Sequence, residues 1–347
     1  MAKPTIHDVA KLCGVSATTV SLTLRGKGRI SEHTRERIFS AIEELGYVYN
    51  QSAANLSSKK SNLVGLVLHD ITNPIYNQLT AGISHKLDSD GYLLFLANCE
   101  SDADKQQRFI ESLMSQNTSG LVVCPAKRLD TDYLHALKRR NVPVVFAVRS
   151  PDLDEYDFVG IDNFKGAQIA TDYLLGLGHR KIGFVGNLIG SKTASHRVSG
   201  YMGKLMEQGI EPDYQLVRSC DNNSRQQGYL ETLHLLNERP DVTALVCYTD
   251  TIAYGAMRAL AERGLRVGED IAVIGFDDLP ESAETVPPLT TVSACAKELG
   301  RTAAEALLLR INGSEEPAKQ IILSPRLTIR QSCGEHLHQS QKSNAVA

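Results

Sequence analysis

The sequence predicts an α/β protein: a small all-helical head followed by a larger body of doubly wound parallel sheets. Three observations carry this. Residues 5–46 contain three short amphipathic helical stretches and no strand pattern. Residues 50–61 (NQSAANLSSKKS) are polar and small, with one isolated large apolar residue, Leu56. From residue 63 onward, short apolar runs alternate with helical stretches, which implies parallel strands joined by right-handed crossovers.

In the head, Thr5 is placed to cap a helix over Ile6–Cys13, with Asp8 in its first turn to complement the helix dipole. Gly14 then supplies a turn. Ser16 caps a second helix over residues 17–24, with Val20 and Leu24 four apart on one face. Ser31 caps a third over residues 32–45. Its apolar Ile38, Ala41, Ile42 and Leu45 recur at three and four, and Gly46 ends it.

In the body, the expected strands are Leu63–Leu68, Tyr92–Ala97, Gly120–Cys124, Pro143–Val148, Phe158–Ile161, Lys181–Gly186, Ala244–Tyr248 and Ile271–Gly275. Helical stretches over 75–89, 103–115, 163–177, 193–208, 224–237, 251–263 and 297–312 separate most of them. Roughly 280 residues of such alternation are large for one sheet, so two lobes facing a cleft are expected. The chain should pass from the first to the second near Asp157–Gly160 and return near Pro287–Val292. The expected division is 1–58 for the head and its hinge, 61–160 with 292–322 for the first lobe, 161–291 with 323–333 for the second, and 334–347 for a polar tail.

Composition narrows the class. The chain has 347 residues, is 42% hydrophobic and carries a net charge of −3, which excludes a disordered, collagenous or low-complexity protein. No apolar run approaches the about 18–20 residues that a membrane-spanning helix needs. No apolar segment follows Met1 in the manner of a secretory signal, so the cytoplasm is the expected compartment. The charge is uneven: residues 1–60 hold nine Lys/Arg against five acids, a balance of +4, leaving −7 for the remainder. A basic head on an acidic body suggests that the head meets a polyanion, though four charges also suit a solvated surface. The seven cysteines are scattered without a C-x-x-C, which reads as reduced cytosolic thiols. His336 and His338 form an H-x-H pair in the tail, a solvated pair rather than a metal site. No cofactor or metal is expected.

The first two helices and the turn at Gly14 form a helix-turn-helix pattern. Its use would be to lay the second helix in a major groove, with Ala17, Thr18 and Leu22 near base edges and Ser16 and Ser21 near phosphates. A helical subdomain without a DNA role has the same pattern. The run GNLIGSKT (Gly186–Thr193) approximates a phosphate-binding loop, but Gly190 comes one place early and Ser191 fills the position of the second glycine. Nucleotide hydrolysis is therefore set aside. No nucleophile elbow, zinc-protease motif or spaced acid/base pair is evident, so enzymatic function lacks support. Polar residues cluster where strands or loops should end in the cleft: Asn73, Tyr76, Arg149, Asp162, Asn163, Arg197, Asp250, Asp277 and Asp278. Carboxylates and guanidinium groups around a cleft suit a polyhydroxyl ligand, because each makes paired hydrogen bonds. Asp250 and Asn73 also stand where a helix cap is needed, a role compatible with binding.

Longer stretches now become specific. TIHDVAKLCGVSATTVSLTL (Thr5–Leu24) and RISEHTRERIFSAIEELGYVYN (Arg29–Asn50) resemble the head of the LacI/GalR family of bacterial transcriptional regulators. The body agrees in order: GLVLHDITNPIY (Gly65–Tyr76), VGIDN (Val159–Asn163), GHRKIGFVG (Gly178–Gly186), RVSGY (Arg197–Tyr201), TDTIAYGAMRAL (Thr249–Leu260), GFDD (Gly275–Asp278), PPLTTV (Pro287–Val292) and SPRLTIRQS (Ser324–Ser332). The resemblance covers residues 3–333, and SLTLRGKGRIS (Ser21–Ser31) is most similar to repressors of maltose systems.

The resemblance implies a homodimeric repressor of a carbohydrate catabolic operon, its heads on a palindromic operator and its body like periplasmic sugar-binding proteins. Ala17, Thr18 and Leu22 would read bases, and Thr5, Ser16, Thr19, Ser21 and Asn50 would hold phosphates. Residues 50–58, including Ala53, would form a hinge helix that orders on DNA, with Leu56 levering the minor groove open. Asn73, Tyr76, Arg149, Asp162, Thr193, Arg197, Asn223, Asp250 and Asp277 would hold a small-molecule effector, a sugar or a sugar derivative.

Four departures from the family pattern matter. Leu22 stands where most members have Arg, so it should prefer an apolar neighbour such as a thymine methyl over a guanine. Tyr49 and Ala54 replace the Pro and Arg of many relatives. Val148 replaces an Asp that often precedes Arg149, and Asn223 falls where some relatives place an aromatic ring. With no Trp in the chain, a ring to stack on a sugar would come from elsewhere, Tyr76 being one source. The polar tail lacks leucine heptads, which favours a dimer over a tetramer. Two other classes remain open on sequence grounds: a sugar-binding protein without a regulatory role, and a sugar-processing enzyme.

Overall fold

A computed structural model of the chain describes residues 3–24, 26–48, 61–126, 130–151 and 153–335. It comprises two units divided between Ser61 and Asn62, taken here in turn. The hinge segment with Tyr49, Asn50, Ala53, Ala54 and Leu56, and the tail with His336 and His338, lie outside the described residues.

Among the described residues the first unit has three helices, α1 (Ile6–Cys13), α2 (Ala17–Leu24) and α3 (Glu32–Leu45). Each begins at a capping residue and two end at left-handed glycines, so the boundaries follow from local chemistry. The Asp8 carboxylate accepts the N–H and the hydroxyl of Thr5, each at 2.7 Å. Ser16 Oγ accepts the Thr19 N–H at 3.1 Å, and Ser31 Oγ accepts that of Thr34 at 3.3 Å. Gly14 and Gly46 adopt φ of +62° and +59°, a region that costs other residues strain. The helices close on a small core of Val9, Ala10, Cys13, Val20, Ile38 and Ala41.

The second unit contains two six-stranded sheets. The first combines β1 (Leu63–Leu68), β2 (Leu93–Asn98), β3 (Gly120–Val123), β4 (Val144–Ala147), β5 (Asp157–Ile161) and β11 (Gln320–Leu323) in the order β11-β5-β4-β3-β1-β2, all parallel. The second combines β6 (Ile182–Leu188), β7 (Val217–Cys220), β8 (Ala244–Cys247), β9 (Ala272–Asp277), β10 (Thr290–Ser293) and β12 (Arg326–Thr328) in the order β12-β10-β9-β8-β6-β7. Only β12 pairs antiparallel, with β10. Central strands such as β3, β4, β8 and β9 are buried throughout, as expected where helices cover both faces. The edge strand β2 instead leaves Leu93, Phe95 and Leu96 about half exposed.

The crossover helices are α4 (Ile75–Ser89), α5 (Ala103–Ser115), α6 (Thr131–Arg139), α7 (Asn163–Gly176), α8 (Lys192–Glu207), α9 (Arg225–Glu238), α10 (Asp250–Glu262) and α11 (Ala296–Ile311). The chain passes between sheets three times: from β5 into α7, from β10 into α11, and from β11 to β12. The second passage falls after Ser293, because β10 still pairs with β9. Strands β7, β10, β11 and β12 and helix α6 had no counterpart in the sequence reading. Strands β7, β11 and β12 are partly exposed and β10 (TTVS) is mostly hydroxyl-bearing, so none of them has the continuous buried apolar run that marks β3, β4 and β8. Among the described residues no helix is long and apolar enough to cross a membrane.

Helix α11 lies on the first sheet through a bidentate ion pair. Arg310 donates to both oxygens of Asp157, at 2.6 and 2.9 Å, and the Lys319 N–H adds a third bond at 2.8 Å. The helix also packs against α4 at backbone contact. A Cβ at Gly82 would collide with the Lys297 carbonyl, and one at Gly300 with the Leu79 carbonyl. Gly300→Val should therefore force α4 and α11 apart and destabilise the body by about 1–3 kcal/mol. Urea unfolding compared with the parent measures it; an unchanged midpoint would show that the helices can separate freely.

Candidate functional sites

Helix α2 turns Val20 and Thr23 into the core of the first unit. Its opposite side exposes Thr18 and Leu22, four residues apart, flanked by half-buried Ala17 and Ser21. The helix (ATTVSLTL) carries no charge, so it presents methyl groups and hydroxyls alone. Ser16 and Thr19 stand at its N-terminus with their hydroxyl oxygens 2.8 Å apart. Ser16, Ala17, Thr18, Thr19, Ser21 and Leu22 are thus gathered on one short helix and its cap. Thr5 sits at the start of α1, its hydroxyl engaged by Asp8, and these bonds hold the Asp8 carboxyl below its usual range. Asn50, Ala53 and Leu56 fall outside the described residues.

In the second unit a cavity of about 660 Å³ opens between the two sheets. Its walls come from the carboxyl ends of strands, where doubly wound folds place ligands. Ala126 follows β3, Val148 and Arg149 follow β4, Asn163 follows β5, and Thr193 lies in the first turn of α8 after β6. Of the nine residues expected to hold an effector, Arg149 and Thr193 line this cavity.

The others lie behind or beside it. Arg197 is 5% exposed and reaches the wall through its neighbours. Its Nε donates to Asn163 Oδ1 at 2.8 Å, Nη1 donates to the Tyr248 carbonyl, and Nη2 lies 3.7 Å from Asp277 Oδ1. The guanidinium also sits 3.4 Å from the centroid of the Phe276 ring. Burial pushes the Asp277 carboxyl up to about 8 against the pull of Arg197, with buried Asp250 adding to the rise. Asp277 Oδ2 and Asn223 Nδ2 are buried without a hydrogen-bond partner among the described residues.

Asp250 is fully buried and held by three donors: the Leu279 N–H at 2.8 Å, the Ser282 hydroxyl at 2.7 Å and the Thr291 hydroxyl at 2.5 Å. Its carboxylate joins α10 to the loop after β9 and to β10. Asp162 caps α7 through the Lys165 N–H at 2.8 Å, and Asn73 accepts the Ile75 N–H at 3.4 Å. Asn223 accepts the Thr249 hydroxyl at 2.5 Å. Asp278 is bound by Thr328 and Arg330, at 3.0 and 2.8 Å, while its carbonyl accepts from Gln78 across the lobes at 3.3 Å.

Tyr76 does not offer a ring face for stacking. It is 1% exposed, meets His69 edge-on with ring centroids 5.0 Å apart, and places its hydroxyl 2.7 Å from His69 Nδ1. Burial raises its phenol well above the usual value. The aromatic side chain in the cavity wall is Phe158. Sequence reasoning passed over Phe158, Ser191, Lys192 and His196 as binding residues, although all four line the cavity. The available signal was the strand-turn-helix passage at Gly186–Thr193, which leads from a carboxyl strand end into the cleft.

Two family profiles match the chain. "Bacterial regulatory proteins, lacI family" covers residues 5–50, and "Periplasmic binding proteins and sugar binding domain of LacI family" covers residues 61–331. The maltose regulon regulatory protein MalI of Escherichia coli K12 is 35% identical, over 94% of this chain and 97% of that protein. The regulator DegA of Bacillus subtilis is 33% identical, over 95% and 98%. Among solved structures, the lac repressor dimer bound to operator and the anti-inducer ONPF superposes with a TM-score of 0.84 at 30% identity, over 96% of this chain and 99% of that one. A complex of the regulator CelR with cellobiose gives 0.72 at 30% identity, over 95% and 99%.

The Asp277 carboxyl has a consequence for stability. The folded chain keeps its proton up to about pH 8, whereas the unfolded chain releases it near 3.8. This group's contribution is therefore full below about 3.8 and is lost progressively as pH rises to about 8. Asp277→Asn, which cannot ionise, should gain stability relative to the parent between about pH 5 and about pH 8.5. Urea midpoints at the two pH values test this; a difference between the two proteins that does not change with pH would contradict it.

Proposed function

The chain belongs to the LacI family of bacterial regulatory proteins, and from that premise we propose that it represses a carbohydrate catabolic operon under control of an effector in the interlobe cavity. It is a sequence-specific DNA-binding regulator and a homodimer, not an enzyme. One observation carries the reading: a DNA-binding head over residues 5–50 and a sugar-binding domain over residues 61–331 stand in a single chain. A receptor for uptake alone has no use for the head, and an enzyme would need a nucleophile or an acid/base pair. As a DNA-binding regulator it works in the cytoplasm.

In the proposed mechanism, α2 enters the major groove with Ala17, Thr18 and Leu22 at base edges. Thr5, Ser16, Thr19, Ser21 and Asn50 hold phosphates, and Ala53 and Leu56 act in the minor groove from the hinge segment. The uncharged face of α2 supports readout through methyl groups and hydroxyls. Residues 1–58 act as head and hinge, and the two lobes are built on the first sheet, β1 to β5 with β11, and on the second, β6 to β10 with β12, so that the second lobe extends through Ser293 rather than ending at residue 291. The effector sits between the lobes, with Arg149 and Thr193 in contact. Arg197 with Asp277 supports the Asn163 wall from behind, Asn73, Asp162 and Asp250 hold backbone N–H groups, Asn223 holds the Thr249 hydroxyl, and Tyr76 packs on His69. A ligand that prefers one arrangement of the lobes shifts the equilibrium that sets head spacing, and so operator affinity. We place part of the dimer contact on β2, where Leu93, Phe95 and Leu96 leave an apolar edge in solvent.

Leu22→Arg should move the preferred base at one operator position toward guanine, with discrimination of about 1–3 kcal/mol. Selection of binding sites from a randomised half-site pool measures this, and an unchanged preference would remove Leu22 from the reading face. Phe95→Lys should shift the protein toward monomer in sedimentation and weaken operator binding together with it. A full dimer in the variant would place the contact elsewhere.

A further inference from the structure

We propose that the loop after α2 forms part of the base-reading surface: Leu22 and Ile30 wall an apolar recess floored by Gly28, and the recess takes the C5 methyl of an operator thymine. This rests on the reading that α2 enters the major groove, and adds to it a second side chain and a loop glycine. Two backbone bonds turn the chain back at the end of α2. The Gly26 N–H donates to the Thr23 carbonyl at 3.1 Å, and the Lys27 N–H to the Leu22 carbonyl at 2.9 Å. This pair of bonds closes a helix at a left-handed glycine, and Gly26 has φ of +63°. The return brings Gly28 beside Leu22. Gly28 has φ of +88°, and a Cβ on it would stand 3.6 Å from Leu22 Cδ1, 3.8 Å from Leu22 Cβ and 3.9 Å from Ile30 Cδ1. The three heavy atoms nearest that position are thus apolar carbons of two side chains. With glycine there, the space between them stays open, and Gly28 and Leu22 are both exposed.

Neither wall serves the core of the head. Among the described residues, those that form this core or pack on it include neither Leu22 nor Ile30. An apolar residue just before a helix cap ordinarily packs on the fourth residue of that helix. Ile30 precedes the Ser31 cap of α3, but the fourth residue of α3 is Arg35. The Cδ1 carbon of Ile30 lies beside Gly28 instead. In the major groove thymine carries a methyl that no other base offers, and two apolar side chains remove it from water. Lys27 and Arg29 flank Gly28 and are exposed, so the loop sets positive charge on both sides of the recess, as a surface laid against a phosphate backbone requires.

The test uses the full-length protein and a duplex selected from a randomised half-site pool. Each thymine is replaced in turn, in both half-sites, by uracil, which keeps every hydrogen-bonding group and lacks only the methyl. Equilibrium competition at fixed salt gives the ratio of thymine to uracil affinity within each protein, so differences in folded fraction cancel. One position should lose affinity on the order of tenfold when both half-sites lose the methyl. Ile30→Val, which removes only the Cδ1 carbon of one wall, should bring that ratio closer to one. Gly28→Ala, which fills the recess at the cost of backbone strain, should do the same. No uracil-sensitive position, or a ratio there that Ile30→Val and Gly28→Ala leave as in the parent, would overturn the proposal. Leu22→Ala separates this from the reading of α2. If it alters the base preference while the two loop variants leave the ratio alone, α2 reads DNA and the recess does not. If it alters no base preference at all, the placement of α2 in the groove fails as well.

Discussion

A single buried guanidinium organises the second lobe around the cavity. Arg197 projects from α8 and meets the first residue of α7 at Asn163, the end of β8 at the Tyr248 carbonyl, and the end of β9 at Asp277 and Phe276. Burying such a charge is costly unless its donors are matched, and here each face of the group has a partner. Because these partners come from separate strand ends, their relative positions are set by one side chain. The wall that Asn163 forms is held by Arg197 from behind.

The second organising feature is the threefold passage of the chain between the sheets. A ligand held across the gap acts on segments that also carry the backbone from one lobe to the other. Asp157 and Arg310 fix one of those segments to the first sheet, and Asp250 gathers the loop after β9 and strand β10 in the second. In the proposed mechanism these anchored passages are the route by which binding in the cavity would bias the arrangement of the body. Close helix packing restricts motion within each lobe: at Gly82 and Gly300 in the first, and at Gly200 and Gly255 in the second, a side chain would collide with a neighbouring helix backbone.

Local chemistry made the head legible. Its caps at Thr5, Ser16 and Ser31 and its turn at Gly14 involve partners three to five residues away, so sequence neighbours are also spatial neighbours. The same holds for the long crossover helices of the body, whose ends fell within one or two residues of expectation. Edge strands β7, β11 and β12 escaped because three or four residues, partly exposed, lack the continuous apolar pattern that marks central strands.

By itself, then, the sequence determined the helix-turn-helix, the alternation that makes two parallel sheets, and the family to which these belong. All of these rest on patterns repeated within a few residues or in a fixed order along the chain. Which polar groups face the cavity was decided only by the tertiary structure. Asp250 looked like a binding carboxylate, yet its partners lie 29, 32 and 41 residues away and enclose it fully. Lys192 and His196 drew no role from the sequence, yet the sheet order brings their helix to the same opening as Arg149. Charge and spacing along a chain say what a side chain can bind. Long-range packing decides whether another part of the protein has bound it already.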